Sequence, residues 1–572
     1  MENVASLNIY KLDDGDKSAE DKSKGFKIMC SMGQNKTFDY KENINEKAVS
    51  VFNEVIGPIM RGPSSSHTAA SFHIGKLARD LLEDRPKSVA VTFIENGSYA
   101  EVYHQQGSDL AFTAGLMGWS LTDERFFQAI EEAKANGLDI NFFVDQLRDE
   151  DHPNAMEIKM ISWKGRSVKV IAKSIGGGSV VFTKLNGWPI ILRGDTYDVI
   201  VLLIIGSEKA IENLIIREGK ILGFPQKQAR EKEVLIHVRL HRPLESDCIE
   251  LLKSSPGVID CWITSPIFFP IVGKPLFSSG SQMVAMAERN GCSLGKIALA
   301  YEATLLGISE NEALQEMQHR YEIMEAAALR GLKENIPSMQ LLHPTAHEIY
   351  KAEREGRVAI GGIHTRAAAR AMAVMHVNGG MGVVCAAPTG GAAGTIPGVV
   401  VTLAKEKNLS REQIALALFS ASAIGLIVAK RATFAAEVAG CQVEIGAAGA
   451  MAAAAVVEAM GGTPRQAADA AAISFQNTMG SVCDLVQGIV EIPCHTRNAV
   501  AASGAFVCAD LIMGGYQNPI PLDETIDAVY AVGKMLPREL RCTAQGGLSV
   551  TPSALALQRV KQHRGIIFEA MK

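Results

Sequence analysis

Hydrophobic and polar positions divide this chain into three stretches of different rhythm behind a polar lead. The lead, residues 1–46, carries Lys11-Leu12-Asp13-Asp14-Gly15-Asp16-Lys17 and then further Lys, Asp and Ser. It holds too little apolar surface to offset the entropy of ordering, so it reads as a mobile extension. Between 47 and 195 the pattern is mixed. Val89–Ile94 and Val168–Ala172 predict strands and Glu124–Ala135 a helix, hence an α+β domain. Residues 196–272 form a separate block. Strands are predicted over Tyr197–Leu203, within 220–230, over Val234–Leu240 and near Ile259–Thr264, and helices over Glu208–Glu218 and Leu244–Ser254. That order, βαββαβ, is the ferredoxin-like split unit. From 280 to 572, Ala, Gly, Met and Leu fill helical runs such as Ala447–Met460 and Pro464–Ser474, which predicts an all-α domain. The most apolar run, Ile414–Ala429, is interrupted only by serines and closed by Lys430 and Arg431. It is shorter than the ~20 residues that cross a bilayer and reads as a buried central helix.

Composition narrows the class. A chain of 572 residues suggests three or four domains, and 47% hydrophobic with 21% charged residues is that of a soluble globular protein. A net charge of −5 without a basic stripe excludes a nucleic-acid footprint, and no membrane partner is expected. Ten cysteines behind a start of Met1-Glu2-Asn3, with no secretory signal, suit a reducing cytoplasm rather than a disulfide scaffold.

Three of those cysteines have unusual settings: Gly440-Cys441-Gln442-Val443-Glu444, Val482-Cys483-Asp484, and Ile492-Pro493-Cys494-His495-Thr496-Arg497-Asn498. They lie too far apart for a zinc knuckle or a ferredoxin run. Gathered by folding, three thiolates would hold a cubane iron–sulfur cluster by three irons and leave the fourth free as a Lewis acid. Three buried structural thiols would show the same spacing. A second candidate is Ile56-Gly57-Pro58 followed by Arg61-Gly62-Pro63-Ser64-Ser65-Ser66-His67-Thr68. Its hydroxyls, imidazole and backbone N–H groups ahead of a helix suit a carboxylate, or simply cap the helix.

Taken together, these segments and Ala387-Pro388-Thr389-Gly390-Gly391-Ala392-Ala393-Gly394-Thr395-Ile396-Pro397 resemble the iron–sulfur-dependent L-serine dehydratases (L-serine ammonia-lyases). The resemblance implies a β-type domain at 47–195, an ACT-like insert at 196–272 and an α-type, iron–sulfur catalytic domain at 280–572. The turn Gly206-Ser207-Glu208-Lys209-Ala210 lacks the Asp-Arg-Pro-Gly form of ligand-binding ACT domains, so a structural or dimerising role for the insert stands beside ligand sensing. It implies Cys441, Cys483 and Cys494 as ligands of a [4Fe–4S] cluster, L-serine as substrate, and a homodimer. Ser64, Ser65, Ser66, His67 and Thr68 would bind substrate together with Asn154, Arg497 and Asn498. The family carries a Gly-His-Gly-Thr-Asp segment whose histidine falls here on Gln106, which cannot titrate. His104, two residues earlier, would share a face with Gln106 on a strand and so replace it as general base. His152, in His152-Pro153-Asn154, is a further catalytic imidazole. The Gly379–Gly398 stretch reads as a flexible loop near substrate. Cys385, Cys508 and Cys542 are spare thiols. Elimination from threonine or cysteine would need the same chemistry. A regulatory protein with a structural metal site, zinc on the three cysteines and His495 included, is the rival from another class.

Overall fold

The computed structural model describes residues 48–560 apart from Asn96, Asp149, Asp151 and 334–338, so the polar lead lies outside the described residues. After a helical turn at Val51–Val55 comes strand β1 (Ile59–Arg61), followed by α1 (Ala70–Leu82), β2 (Pro86–Ile94), α2 (Ser98–Val102), α3 (Ser108–Met117) and α4 (Ala129–Ala135). Strands β3 (Asp139–Asp145), β4 (Ala155–Ser162), β5 (Ser167–Ser174), β6 (Val180–Leu185) and β7 (Trp188–Leu192) complete a six-stranded sheet of order β3-β2-β4-β5-β6-β7. Only β2 and β3 pair in parallel, across α2–α4, because a parallel pair needs a crossover. Val89, Val91 and Phe93 alternate inward along β2, beneath α1 and α3. Those two helices cross closely: a Cβ on Gly75 would lie 2.6 Å from Phe112 O, and one on Gly115 2.4 Å from Phe72 O.

The next block has the strand and helix order predicted for it: β8 (Tyr197–Ile204), α5 (Glu208–Glu218), β9 (Gln226–Arg230), β10 (Glu233–Leu240), α6 (Ser246–Ser254) and β11 (Val258–Thr264). Its four strands pair antiparallel in the order β11-β8-β10-β9. Ile211 and Ile215 of α5 and Leu252 of α6 bury against the sheet.

Helices then dominate. The first six are α7 (Gly280–Arg289), α8 (Leu294–Leu306), α9 (Glu310–Gly331), α10 (Ala346–Arg354), α11 (Ile363–Gly379) and α12 (Thr395–Glu406). They are followed by α13 (Arg411–Arg431), α14 (Ala436–Ala439), α15 (Ile445–Ala459), α16 (Pro464–Thr478), α17 (Cys494–Met513), α18 (Leu522–Met535) and α19 (Pro552–Ala556). Helix α13 is the predicted apolar helix, but it runs five residues longer than its apolar stretch, from the capping box of Ser410 and Gln413 to Arg431. By length and composition it and Cys441–Ala459 could each cross a membrane; both are mostly buried inside the protein.

The expectation of an all-α third part needs one correction. A short strand, β12 (Val383–Cys385), pairs antiparallel with β1, so one bridge of sheet joins the two ends of the architecture. Three residues of strand carry too little periodicity to register in sequence. The turn Val51–Val55 also docks into the helical part: Glu302 of α8 accepts hydrogen bonds from Ser50 Oγ (2.6 Å), Val51 N (2.8 Å) and Phe52 N (3.1 Å). A core at this boundary mixes Met60, Ala69 and Phe72 with Val374, Ile445, Cys441, Cys483 and Cys494.

Candidate active site

Each cysteine is placed by short polar staples. Gly440, at φ 75°, turns the chain from α14 into the Cys441–Val443 turn, a backbone conformation glycine adopts without strain. Gln442, fully buried, then donates from Nε2 to Ala439 O (2.9 Å) and accepts from Gly480 N (2.9 Å), drawing the 480–483 segment alongside Cys441. Cys483 N donates to Leu540 O (2.9 Å) and Cys542 N donates to Cys483 O (2.8 Å). Cys494 is the first residue of α17, where its carbonyl accepts from Asn498 Nδ2 (2.8 Å). All three predicted thiols are buried. The Sγ atoms of Cys441 and Cys483 and a carboxylate oxygen of Glu444 lie within 4.8 Å of one another.

Burial and mutual proximity hold the acidic groups of this site above their ordinary range. Cys441 is held well above its ordinary pKa by its hydrogen bond to Cys483 and by burial; Cys494 is raised by burial and the neighbouring Cys441. At Cys483 the hydrogen bond with Cys441 acts downward, but contact with Cys542 and burial win and the thiol is raised as well. Glu444 is pushed up to about 7 by burial, against the lowering effect of Thr389, whose hydroxyl donates to it at 2.6 Å. Arg497 Nη1 sits 3.6 Å from Cys441 Sγ, donates to Val482 O (2.7 Å), and pairs through Nη2 with Asp484 (3.0 Å). Soft thiol donors beside a carboxyl and a guanidinium suit a transition metal or an iron–sulfur group, whose binding would displace the thiol protons. His495 is not part of this group. Among the described residues its ring nitrogens do not fall within the Cys441–Glu444–Cys483 group, and its Nδ1 faces His376 Nδ1 at 3.1 Å.

The hydroxyl-rich loop meets the cysteine segments across the boundary. Ser65–Ala69 forms one wide helical turn ahead of α1, capped by Ser64, whose Oγ accepts from His67 N (3.2 Å). Ser66 Oγ donates to Glu437 (3.0 Å), and Gly390 N donates to Ser65 Oγ (3.2 Å). His67 Nδ1 lies 3.1 Å from Ser66 Oγ, and its Nε2 lies 2.8 Å from Ser98 Oγ. Because Ser66 spends its proton on Glu437, the pattern assigns His67 Nδ1–H as donor to Ser66 and Nε2 as acceptor from Ser98. Burial lowers His67 to about 4, partly offset by Glu437, so the ring is neutral at physiological pH.

Other predicted residues fall at different depths. Thr68 donates to Gln106 O (2.7 Å), and Asn498 spends both amide ends on Gly391, Gly394, Thr395 and Cys494. The side chains of both residues are thus engaged by protein partners. Asn154 is buried, and among the described residues its Oδ1 has no hydrogen-bond partner; its N donates to His152 Nδ1 (3.1 Å). Gln106 is buried with Nε2 on Gly488 O (3.1 Å) and Oε1 unpartnered among the described residues. His104 and Gln106 do not lie on a strand. Gly97 starts the helix α2 and turns follow it, so period-two alternation does not apply. His104 instead turns outward, its side chain 51% exposed and its Nδ1 2.6 Å from Asp109. The Gly379–Gly398 stretch is no open loop: from Val384 to Gly398 it is buried, and Gly394 and Gly398 press on α11. Sequence reasoning missed Ser98, Glu437, Glu444 and the contact of Cys542 with Cys483. Glu444 stood three residues from a cysteine and was the most accessible of these signals. A cavity of about 390 Å³ between α15, α16 and α17 reaches Cys441 and Arg497 from outside.

Fold and site together define a two-part scaffold in which a helical part carrying buried thiols is joined to the hydroxyl loop of an α/β part through Ser66–Glu437 and Gly390–Ser65. Residues 288–549 match the family model described as serine dehydratase alpha chain. The chain is 38% identical over 284 residues to the probable L-serine dehydratase alpha chain of Bacillus subtilis (strain 168), covering 50% of this chain and 95% of that one. It is also 33% identical over 214 residues to the probable beta chain of the same organism, covering 37% of this chain and 95% of the relative. The L-serine dehydratase TdcG of Escherichia coli (strain K12) is 31% identical over 285 residues, covering 48% of this chain and 62% of its own length. The chain belongs to the L-serine dehydratase family, and it matches both alpha-chain and beta-chain relatives within one polypeptide.

Proposed function

We propose that this chain is an L-serine dehydratase, a lyase that eliminates water from L-serine to give pyruvate and ammonia. The observation that carries the reading is the cluster of Cys441, Cys483 and Glu444, beside buried Cys494, on segments that Ser65 and Ser66 of the hydroxyl loop reach through Gly390 and Glu437, in a chain of that family. The three thiols suit a [4Fe–4S] cluster held by Cys441, Cys483 and Cys494, which when bound supplies a Lewis acid for the departing hydroxyl. The protein's own residues do the rest. Ser64, Ser65, Ser66 and His67 present hydroxyls and backbone N–H groups to the substrate carboxylate. Asn154 Oδ1 is a buried acceptor that the substrate ammonium would satisfy. Thr68, Arg497 and Asn498 hold these groups in place through their protein partners. Loss of the Cα proton and of hydroxide leaves aminoacrylate, which tautomerises and hydrolyses.

For the base, His104 supported by Asp109 is the first reading, with His152 orienting Asn154. A specific observation favours His67 as a second. It is buried and neutral, its Nε2 can take a proton relayed through the Ser98 hydroxyl that donates to it, and the Ser66–Glu437 link would stabilise the imidazolium formed. The domain boundaries 47–195, 196–272 and 280–572 belong to this proposal, with 196–272 an ACT-like module that contributes to a homodimer. A cytoplasmic location follows from an oxygen-sensitive group.

Anaerobic purification with iron, sulfide and zinc analysis and a pyruvate assay tests the reading. Equal iron and acid-labile sulfide with turnover of L-serine is expected; threonine or cysteine as the better substrate would move the specificity. Cys441→Ser, Cys483→Ser and Cys494→Ser should each lose iron and activity, whereas Cys248→Ala should lose neither. Zinc without turnover would overturn the reading.

A further inference from the structure

A second cavity, of about 520 Å³, lies where the α/β part, the linker after β11 and the helical part meet. Its walls are aromatic: Phe52 from the first turn, Phe72 from α1, Trp119 after α3, and Phe268 and Phe269 from the linker. Two polar groups on α1, His73 and Lys76, stand at its other side. His73 is buried, and its Nδ1 donates to Gly178 O at 2.8 Å. That bond fixes the tautomer and leaves Nε2 as a lone-pair acceptor with no protein hydrogen bond among the described residues. Lys76 is exposed, one helical turn along on the same face, and its charge adds to burial in keeping the His73 ring neutral. Asp80, a further turn on, is directed to Ser265 N (3.3 Å). Arg320, the other cation in the wall, is already spent on Ile56 O, Phe52 O and Glu316.

These features specify the ligand. A simple anion would satisfy Lys76 but would set its lone pairs against His73 Nε2. A simple amine would satisfy His73 but meet the Lys76 charge. A molecule with a carboxylate and an ammonium on neighbouring carbons satisfies both, and the aromatic walls reward an apolar side chain rather than a hydroxymethyl group. The volume suits a small metabolite. We propose that this cavity is a binding site for an α-amino acid with an apolar side chain, separate from the thiol site. Its occupant would join α1, whose N-terminal turn is the Ser65–Ala69 loop, to the linker between the four-stranded block and the helices. Binding there is thus placed to bear on the hydroxyl loop.

Calorimetry on the full chain tests this with L-phenylalanine and L-leucine as probes, and with phenethylamine and 3-phenylpropionate as analogues lacking one charge. At least one amino acid should bind about tenfold or more tightly than either analogue, the usual weight of a charge-assisted hydrogen bond. Lys76→Ala should erase the advantage over the amine. Ser120→Trp, at an exposed position on the cavity wall, should abolish binding while leaving the melting temperature unchanged. Failure of both amino acids to bind, or binding that survives Ser120→Trp, overturns the proposal. Because the readout is binding, the result stands whether or not the chain dehydrates serine.

Discussion

At the residue scale the decisive contrast is between two histidines. His67 is buried among Ser64, Ser66, Ser98 and the ring of Tyr99, 4.6 Å away, whereas His104 is half exposed on Asp109. A general base must be neutral to accept a proton, so activity falls as pH drops through its pKa. If His67 is the base, the acidic limb of the pH–rate profile should lie near pH 4, and His67→Asn should cut kcat by roughly 10²–10⁴-fold with iron content intact. A comparable loss in His104→Ala, with His67→Asn nearly silent, would return the role to the His104–Asp109 pair. In either case Gln106→His restores an imidazole at the family position, and its effect on the weaker variant shows whether that position still faces the substrate.

At the scale of elements, two contacts fix the loop to its neighbours. Gly62 lies against the end of α11: a Cβ there would sit 2.0 Å from Asn378 O, which belongs to backbone and cannot yield cheaply. Asn378 Nδ2 in turn donates to Pro63 O (2.9 Å) and Gly390 O (3.1 Å). Gly62→Ala should therefore destabilise by about 1–3 kcal/mol, as overpacking does, and raise the KM for serine by displacing Ser64–Ser66. Denaturant melts with steady-state kinetics would show it; unchanged values of both would mean the loop relaxes freely. The second contact is Glu302, which caps the turn Val51–Val55. Burial pushes it up to about 7, against the lowering effect of its hydrogen bonds to Ser50, Val51 and Phe52. A carboxyl whose folded pKa is raised stabilises fully below its unfolded value near 4.5, and that stability is lost as pH rises through about 7. The wild-type melting temperature should thus fall across this window more than that of Glu302→Gln. Parallel curves for the two proteins would remove Glu302 as the source.

At the scale of the molecule, one chain carries what relatives named alpha chain and beta chain carry separately. The boundary core and the β1–β12 pair supply the contacts that two chains would need. Co-expressed 1–272 and 273–572 should therefore copurify, and iron should be retained by the pair. Iron loss from the pair with intact binding would show that the covalent link itself holds the cysteine site in register. Failure to copurify would mean that the boundary core is too weak to assemble without the linker.

Elements with a strong period were legible in the sequence. The strands Val89–Ile94 and Val234–Leu240, the order of the 196–272 block and the helix through Ile414–Ala429 announce themselves, because burying one face imposes a repeat on local residues. The cysteine segments stood out in the sequence as well, and folding brings Cys441 and Cys483 within 4.8 Å of each other and of Glu444. What stayed hidden was everything that depends on which segments meet. Glu437 and Glu444 look like ordinary surface acids until Ser66 and Thr389, hundreds and tens of residues away, are brought against them. His104 and Gln106 looked like neighbours on one face until Gly97 began a helix instead of a strand. The local pattern determined the elements and nominated the thiols; only tertiary packing decided which carboxyls meet the thiols and the hydroxyl loop. The physical reason is that periodicity records burial along a segment, while a site is made by side chains from segments whose encounter leaves no local repeat.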